Sequence, residues 1–130
     1  TYRVITASCV LDVGKVVNPA ATRAMIAGGM SMGVSLATRE SYEYDENGSP
    51  RAPNLRTYKL LHIGQEPEYR VDFVETPDPT APCGARPYTE HGIIGIPAAL
   101  ANALSAAFGC ALDGLPLRPE AIRRAIGGAP

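Results

Sequence analysis

The sequence is organised around the stretch Gly84-Ala-Arg-Pro-Tyr-Thr-Glu90-His-Gly-Ile-Ile-Gly95. Prolines at positions 77, 79 and 82 precede it and predict an irregular backbone, because proline fixes φ and lacks an N–H group. From Pro97 an apolar stripe with helical spacing follows and stops at Gly109, which predicts an alanine-rich helix with a left-handed glycine at its end. A glutamate in such a turn is typical of a catalytic loop, although most loop glutamates are only solvated.

Upstream of this loop, the sequence predicts a strand followed by a long helix. Over residues 2–13 the side chains alternate and both faces are largely uncharged, which is typical of a strand covered on two sides. Gly14 ends the strand. Asn18 can accept a hydrogen bond at a helix N-terminus and Pro19 suits the first helical position, so we expect a helix over residues 19–39.

Three glycines interrupt this predicted helix: Gly28, Gly29 and Gly33. Each costs about 1 kcal/mol relative to alanine in a helix interior. We therefore expect a compensating close approach by another backbone or by a ligand. From spacing alone, packing of the helix through its small residues is favoured over contact with a ligand.

The remaining segments complete an α+β pattern. Asn47-Gly48 predicts the tight turn of a hairpin, and the prolines of its return leg keep that leg at a sheet edge. Residues 69–75 alternate, which predicts a half-exposed strand, and a short helix fits residues 119–126. We predict a single domain over residues 1–130 with an α+β fold: a mixed sheet covered by two main helices, a β-hairpin and a short C-terminal helix.

The composition excludes several classes of function. Twelve basic and thirteen acidic residues give a net charge of −1 without a block of like charge, so we expect no nucleic-acid partner. Cys9, Cys83 and Cys110 are too few and too widely spaced for a disulfide framework or a metal site. The longest low-charge stretch is expected to be residues 24–38, which is shorter than the roughly twenty residues of a spanning helix, so we expect no membrane association. No leader opens the chain at Thr1, which favours a cytoplasmic protein or a segment of a longer one.

Five segments in register resemble one protein family. Besides the loop and the glycine-bearing helix, they are Asp12-Val-Gly-Lys-Val-Val-Asn18-Pro19, Tyr44-Asp-Glu-Asn-Gly48 and Val71-Asp-Phe-Val-Glu-Thr-Pro-Asp-Pro79. In this order they resemble the C-terminal part of the molybdenum-binding subunit of the xanthine dehydrogenase and aldehyde oxidase family, the molybdenum hydroxylases. The resemblance covers nearly the whole chain.

The resemblance implies a reaction and a base. Enzymes of this family hydroxylate an N-heterocycle or an aldehyde with oxygen that comes from water. Their base is a glutamate in a Gly-Ala-Lys/Arg-x-x-x-Glu segment, which the stretch from Gly84 to Glu90 matches, so Glu90 is the catalytic candidate. A carboxylate beside an apolar pocket suits this task, because it can accept a proton from a reacting group.

The resemblance also implies which residues border the cofactor, a molybdopterin in its simple or its cytosine dinucleotide form. The cofactor-binding candidates are Met25, Gly28 and Gly29 on the helix and Gly84, Ala85 and Arg86 in the loop. In the family the pterin's dithiolene sulfurs hold the molybdenum, so no side chain of this chain is expected to bind metal.

Two departures from the family pattern concern the substrate and the cofactor. The family usually has Gly-Val-Gly where this chain has Pro87-Tyr88-Thr89, which alters the turn and could bring Tyr88 into the pocket or over it. The family commonly has glutamine where this chain has Met25 and Met32, and a thioether donates no hydrogen bond. Adaptable core filling is the favoured explanation of both methionines, ahead of a contact with the cofactor.

The expected partners follow from the same resemblance. They are the remainder of the molybdenum subunit, the domains or subunits that carry FAD and the 2Fe-2S centres, and a small-molecule substrate. A chain with three cysteines cannot itself hold the iron–sulfur clusters. We expect the isolated 130-residue chain to be inactive. A second hypothesis is a non-catalytic, stand-alone binding or assembly domain that retains the fold.

Overall fold

The computed structural model describes residues 1–127, which form two strands and four α-helices. In chain order these are β1 (Thr6–Asp12), α1 (Pro19–Thr38), α2 (Leu55–Tyr58), β2 (Glu68–Val74), α3 (His91–Phe108) and α4 (Pro119–Ala125). A 3-10 turn at Pro82–Gly84 precedes α3. The predicted α+β class is confirmed.

β1 and β2 form a parallel two-stranded sheet, in register from Thr6 opposite Glu68 to Asp12 opposite Val74. Alternate side chains of both strands pack on the core, while Val10 on the opposite face is 62% exposed. β1 is therefore covered on one side, and the expectation of two covered sides is wrong for this chain. Within residues 1–127 the sheet is parallel and smaller than the expected mixed sheet, because the segment around the predicted hairpin does not join it.

The predicted hairpin is present as a turn without a ladder. The N–H of Asp45 donates to the carbonyl of Ser49 at 2.9 Å, and a single antiparallel bridge joins Tyr44 to Pro50. The Asp45 carboxylate also accepts hydrogen bonds from the N–H groups of Asn47 and Ser49. Beyond Pro50 the N–H of Arg51 still donates to the carbonyl of Glu43 at 2.8 Å. Pro50 and Pro53 supply no N–H groups, so the pairing does not extend into a ladder within residues 1–127.

α1 begins and ends close to where the sequence predicts. The Asn18 side chain accepts a hydrogen bond from the N–H of Ala21 at 3.0 Å, and Pro19 occupies the first turn. The helix supplies most of the main core, whose buried residues are Val13, Ile26, Met30, Val34 and Ile96. The sheet and α3 both pack against α1, so it is the central element of the fold.

α3 begins at His91, well before the predicted start at Pro97. Pro97 lies inside the helix, where its missing N–H leaves the carbonyl of Ile93 without a helical partner. That carbonyl lies against α1, because a Cβ placed on Gly33 would be 3.0 Å from the Ile93 oxygen. The helix ends before Gly109, whose φ of 66° is the left-handed value that the sequence predicts.

α3 is also long and apolar enough to cross a membrane by length and composition, with 18 residues and a mean hydropathy of 1.4. The expectation that residues 24–38 are the longest low-charge stretch is wrong, because no charged residue lies between Glu90 and Asp113. One side of α3 packs on α1, whereas Ile94 on the other side is 72% exposed. The helix thus carries a core contact and an uncovered apolar surface.

The short C-terminal helix is present as α4. It belongs to a second, smaller core in which Leu117 and Ile122 are buried against α3. The N-terminal segment joins this core, since the Tyr2 hydroxyl donates to the carbonyl of Leu117 at 2.7 Å. The N–H of Leu117 in turn donates to the carbonyl of Ala37 at 2.6 Å, which fixes the C-terminal segment to the end of α1.

Candidate functional site

The first half of the loop that carries Glu90 is paired with the end of β1. Gly14 and Ala85 form an isolated antiparallel bridge. Beside it, the N–H of Arg86 donates to the carbonyl of Val13 at 3.0 Å. Main-chain hydrogen bonds therefore fix this part of the loop to the strand end.

Gly84 attaches the loop to two further segments. Its carbonyl accepts hydrogen bonds from the N–H groups of Lys15 at 2.8 Å and Asp78 at 3.0 Å. Its φ of 70° lies in the left-handed region that favours glycine. Gly14 approaches it so closely that a Cβ on Gly14 would lie 2.4 Å from the Gly84 oxygen. Both glycines are therefore required by the turn itself.

The carboxylate of Asp12, the last residue of β1, joins three segments. Oδ1 accepts hydrogen bonds from the N–H groups of Gly14 at 3.0 Å and Thr76 at 3.1 Å, and Oδ2 lies 3.3 Å from Nη1 of Arg86. These interactions, the Gly14 hydrogen bond foremost, lower the pKa of Asp12. The ionised carboxylate thus connects the end of β1, the segment after β2 and the loop.

Arg86 forms an ion pair with Asp12 and has a buried donor without a partner among the described residues. Its Nη1 pairs with Asp12, and its side chain is 39% exposed. Its Nε is buried and has no hydrogen-bond partner among residues 1–127. A buried N–H without a partner costs free energy unless a ligand or water satisfies it. Arg86 therefore retains the capacity to donate to a bound group.

Tyr88 packs against the main core. Its hydroxyl is hydrogen-bonded to Oγ1 of Thr22, with 3.0 Å between the oxygens. Thr22 is only 1% exposed, and its Oγ1 also donates to the carbonyl of Asn18 at 2.8 Å. The second half of the loop is thus fixed to the first turns of α1.

Glu90 lies between two residues that contact α1. A Cβ placed on Gly29 would lie 3.4 Å from the carbonyl oxygen of Thr89 and 3.2 Å from the Cα of Gly92. Glu90 itself is exposed, and its carboxylate makes no capping hydrogen bond to α3. Its backbone is therefore held at the glycine-bearing part of α1, while its carboxylate is available to another molecule.

The glycines and methionines of α1 lie on two sides of the helix. Gly29 and Gly33 are buried under α3, which provides the close backbone approach that the sequence predicts. Gly28 faces open space, with no atom within 4 Å of a Cβ placed on it. Met25 and Met32 are 46% and 54% exposed, so the geometry does not support their interpretation as core filling.

The open side of α1 fits an organic cofactor that is bound by backbone and apolar contacts. A glycine without a neighbour allows a ligand to approach the helix closely. Exposed thioethers are polarisable and adapt to irregular surfaces. The unused Nε of Arg86 offers one donor from the loop. Within residues 1–127, no group of three His, Cys, Asp or Glu side chains is arranged to hold a metal ion.

The residues singled out from the sequence omitted three that fix the site: Asp12, Thr22 and Glu75. Glu75 accepts hydrogen bonds from the N–H of Val16 at 2.6 Å and from Nζ of Lys15 at 3.3 Å. For Asp12 a signal existed, because an aspartate two residues before a glycine commonly forms a side-chain turn. Thr22 and Glu75 carry no such signal, since the partners that connect them to other segments are distant in sequence: Tyr88 for Thr22, and Lys15 and Val16 for Glu75.

Comparison with known proteins identifies the class to which this geometry belongs. The molybdopterin cofactor-binding domain family matches residues 1–67, just over half of the chain. The xanthine dehydrogenase molybdenum-binding subunit of Escherichia coli O157:H7 is 36% identical over 110 residues, covering 84% of this chain and 15% of that subunit. The nicotine 6-hydroxylase large subunit of Paenarthrobacter nicotinovorans is 31% identical over 120 residues, covering 90% of this chain and 15% of that subunit.

Solved structures agree with this class. Quinoline 2-oxidoreductase from Pseudomonas putida 86 matches with a TM-score of 0.89 and 29% identity, over 98% of this chain and 17% of that chain. The aldehyde oxidoreductase from Desulfovibrio desulfuricans matches with a TM-score of 0.85 and 31% identity, over 95% of this chain and 13% of that chain.

The chain therefore carries a molybdopterin cofactor-binding domain. It belongs to the molybdenum hydroxylases, the family of xanthine dehydrogenases and aldehyde oxidoreductases. It spans only 13–17% of the length of the four proteins described above.

Proposed function

We propose that this chain supplies the general base and one wall of the cofactor cleft in a molybdenum hydroxylase that oxidises an N-heterocycle or an aldehyde. Glu90 is the base. The observation that carries the proposal is that the residues on either side of Glu90 contact α1 at Gly29, next to the open surface at Gly28. A proton acceptor thus lies beside a surface suited to an organic cofactor.

The role of Glu90 is to accept the proton that is released as oxygen from water is transferred to the substrate carbon. The molybdenum cofactor, when bound, supplies the oxidising centre that takes up the electrons. A general base must come within hydrogen-bond reach of the proton that it accepts. An exposed carboxylate on a fixed backbone meets this requirement, because the side chain can turn toward the substrate while its attachment stays in place.

The cofactor is held, in this proposal, by residues from both α1 and the loop. Met25 and Gly28 border it along the open side of α1, and the Nε of Arg86 donates to it. Gly29 supports the same part of α1 from beneath through its contact with α3. Gly84 and Ala85 shape the loop without a free polar side chain of their own. The pterin is a molybdopterin, either simple or extended as the cytosine dinucleotide.

Uncovered apolar surface supports a place within a larger subunit. Ile5, Val10 and Ile94 are 77%, 62% and 72% exposed. Single exposed apolar residues are common, but apolar patches mark surfaces that contact other protein. In the complete enzyme, the remainder of the molybdenum subunit covers these surfaces and completes the substrate pocket. Components with FAD and 2Fe-2S centres then accept the electrons.

The direct test is Glu90→Gln in the complete, molybdenum-loaded enzyme. Glutamine keeps the shape of the side chain but loses the proton acceptor, so turnover should fall by roughly 10²–10⁴-fold while molybdenum content is unchanged. Glu46→Gln, in the exposed turn that follows Tyr44, is the matched control and should retain wild-type turnover. A fully active Glu90→Gln enzyme would favour the non-catalytic, stand-alone binding domain instead.

A further inference from the structure

The proposed chemistry uses Glu90 but gives no role to Asp12, the carboxylate with the most partners in the loop region. Its Oδ1 binds the N–H groups of Gly14 and Thr76, and its Oδ2 pairs with Arg86. These partners belong to three separate segments of the chain. A carboxylate is suited to this position because it accepts hydrogen bonds through two oxygens and carries the charge that the guanidinium requires.

We propose that Asp12 is a positioning residue for Glu90 and acts through Arg86. This inference rests on the proposed function of Glu90 as the base. Arg86 is attached twice to the end of β1, through its N–H to the carbonyl of Val13 and through its guanidinium to Asp12. Removal of Asp12 leaves only the main-chain attachment and frees the Arg86 side chain.

The remainder of the loop has few free torsions once Arg86 is fixed. Pro87 follows, and its ring fixes its φ. Tyr88 is hydrogen-bonded to buried Thr22 and packs against the core. Glu90 itself directly precedes the first residue of α3. The first half of the loop is therefore attached to β1 and the second half to α1. Glu90 lies at the end of this attached loop.

The position of Glu90 depends on the attachment of the loop to β1 and α1. Its own carboxylate makes no capping hydrogen bond that would orient it. A displacement of about 1 Å at a reacting group can reduce turnover by about 10²-fold. Loosening the loop should therefore reduce the rate of the chemical step. Substrate affinity should change little, since Asp12 belongs to the contacts that hold the loop in place and does not line the proposed pocket.

The test uses the complete, molybdenum-loaded enzyme with Asp12→Ala, Asp12→Asn and Tyr88→Phe. Asp12→Ala should reduce kcat by about 10–100-fold without a matching change in KM. Asp12→Asn should lose less, because the amide oxygen still accepts from the N–H groups while the charge toward Arg86 is gone. Tyr88→Phe removes one hydroxyl and should lower kcat in the same way.

Asp72→Asn is the matched control, because Asp72 lies on the exposed face of the same sheet and pairs only loosely with Arg23, at 3.9 Å. It should retain wild-type kcat. Molybdenum content and melting temperature are measured for every variant. If the Asp12→Ala enzyme does not load the cofactor, the kcat of the Asp12→Asn enzyme tests the positioning role instead.

A double variant separates positioning from general damage to the fold. If Asp12 acts only through Glu90, adding Asp12→Asn to Glu90→Gln should cause no further loss of kcat. Losses that multiply, or Asp12 variants with wild-type turnover, would overturn the positioning role. An active Glu90→Gln enzyme would instead overturn the proposed function, and this inference with it.

Discussion

Gly29 of α1 and Gly92 of α3 lie against each other where the two helices cross. A Cβ on Gly29 would be 3.2 Å from the Cα of Gly92, and a Cβ on Gly92 would be only 2.5 Å from the carbonyl oxygen of Ile26. Backbone thus packs on backbone at this point. Because Glu90 is two residues before Gly92, the same contact determines how close the candidate base lies to α1.

Gly92→Ala should destabilise the protein by about 1–3 kcal/mol, because the new methyl group would overlap the backbone of α1 at Ile26 and Met30. Denaturant unfolding monitored by circular dichroism measures the change. Gly95→Ala is the matched control on the same helix, where a Cβ has no atom within 4 Å. Equal midpoints for the two variants would mean that the helices do not cross through Gly92.

Gly28→Ala should separate the stability of α1 from its role in cofactor binding. A Cβ there meets no atom of this chain, so the fold should gain up to about 1 kcal/mol from the better helix propensity of alanine. In the complete enzyme, however, the methyl group would occupy space that we assign to the pterin. We therefore expect a lower molybdenum content per enzyme, measured by elemental analysis, and no such loss in Gly95→Ala. Full loading of Gly28→Ala would contradict contact of the cofactor with this side of α1.

Local signals in the sequence predicted the elements that depend on a few adjacent residues. Asn18 and Pro19 predict the start of α1 because they satisfy the helix N-terminus without help from the rest of the fold. The turn at Asn47-Gly48 is likewise present. Among residues 1–127 the pairing beside this turn is one isolated bridge, because a longer ladder needs partners that the turn residues cannot supply.

Contacts between distant segments could not be predicted in the same way. Pro97 resembles a helix start, yet α3 begins at His91, where Gly92 and Ile93 pack against the glycines of α1. The attachment of the loop through Asp12 also joins residues that are far apart in sequence. The resemblance to a family predicted that Glu90 and the α1 glycines share a site, whereas spacing alone ranked helix packing first for those glycines.

Acid should weaken the attachment of the loop. Hydrogen bonds lower the pKa of Asp12, chiefly that from Gly14, and the pKa of Glu75, chiefly that from Val16. Because these folded-state values lie below the ordinary carboxyl pKa of about 4, the carboxylates stabilise the fold above that pH. Their contribution is lost as the pH falls through the folded-state values.

The unfolding free energy should therefore decrease below about pH 4 by less in Asp12→Asn than in the wild-type protein. Denaturant unfolding at a series of pH values measures the difference. Asp113→Asn, on the exposed loop after α3, is the control and should follow the wild-type curve. Parallel curves for the wild-type protein and Asp12→Asn would show that Asp12 does not contribute to the acid sensitivity.

The isolated 130-residue chain should not retain stoichiometric molybdenum, although it carries the proposed base and the open side of α1. Binding sites for small molecules enclose most of the ligand surface, whereas Met25 and Met32 leave one side of the proposed cleft open to solvent. Elemental analysis after gel filtration, with the complete enzyme as the positive control, measures the retained metal. If the isolated chain kept one molybdenum per molecule, the cleft would not need the remainder of the subunit, and a self-sufficient cofactor-binding domain would be the better description.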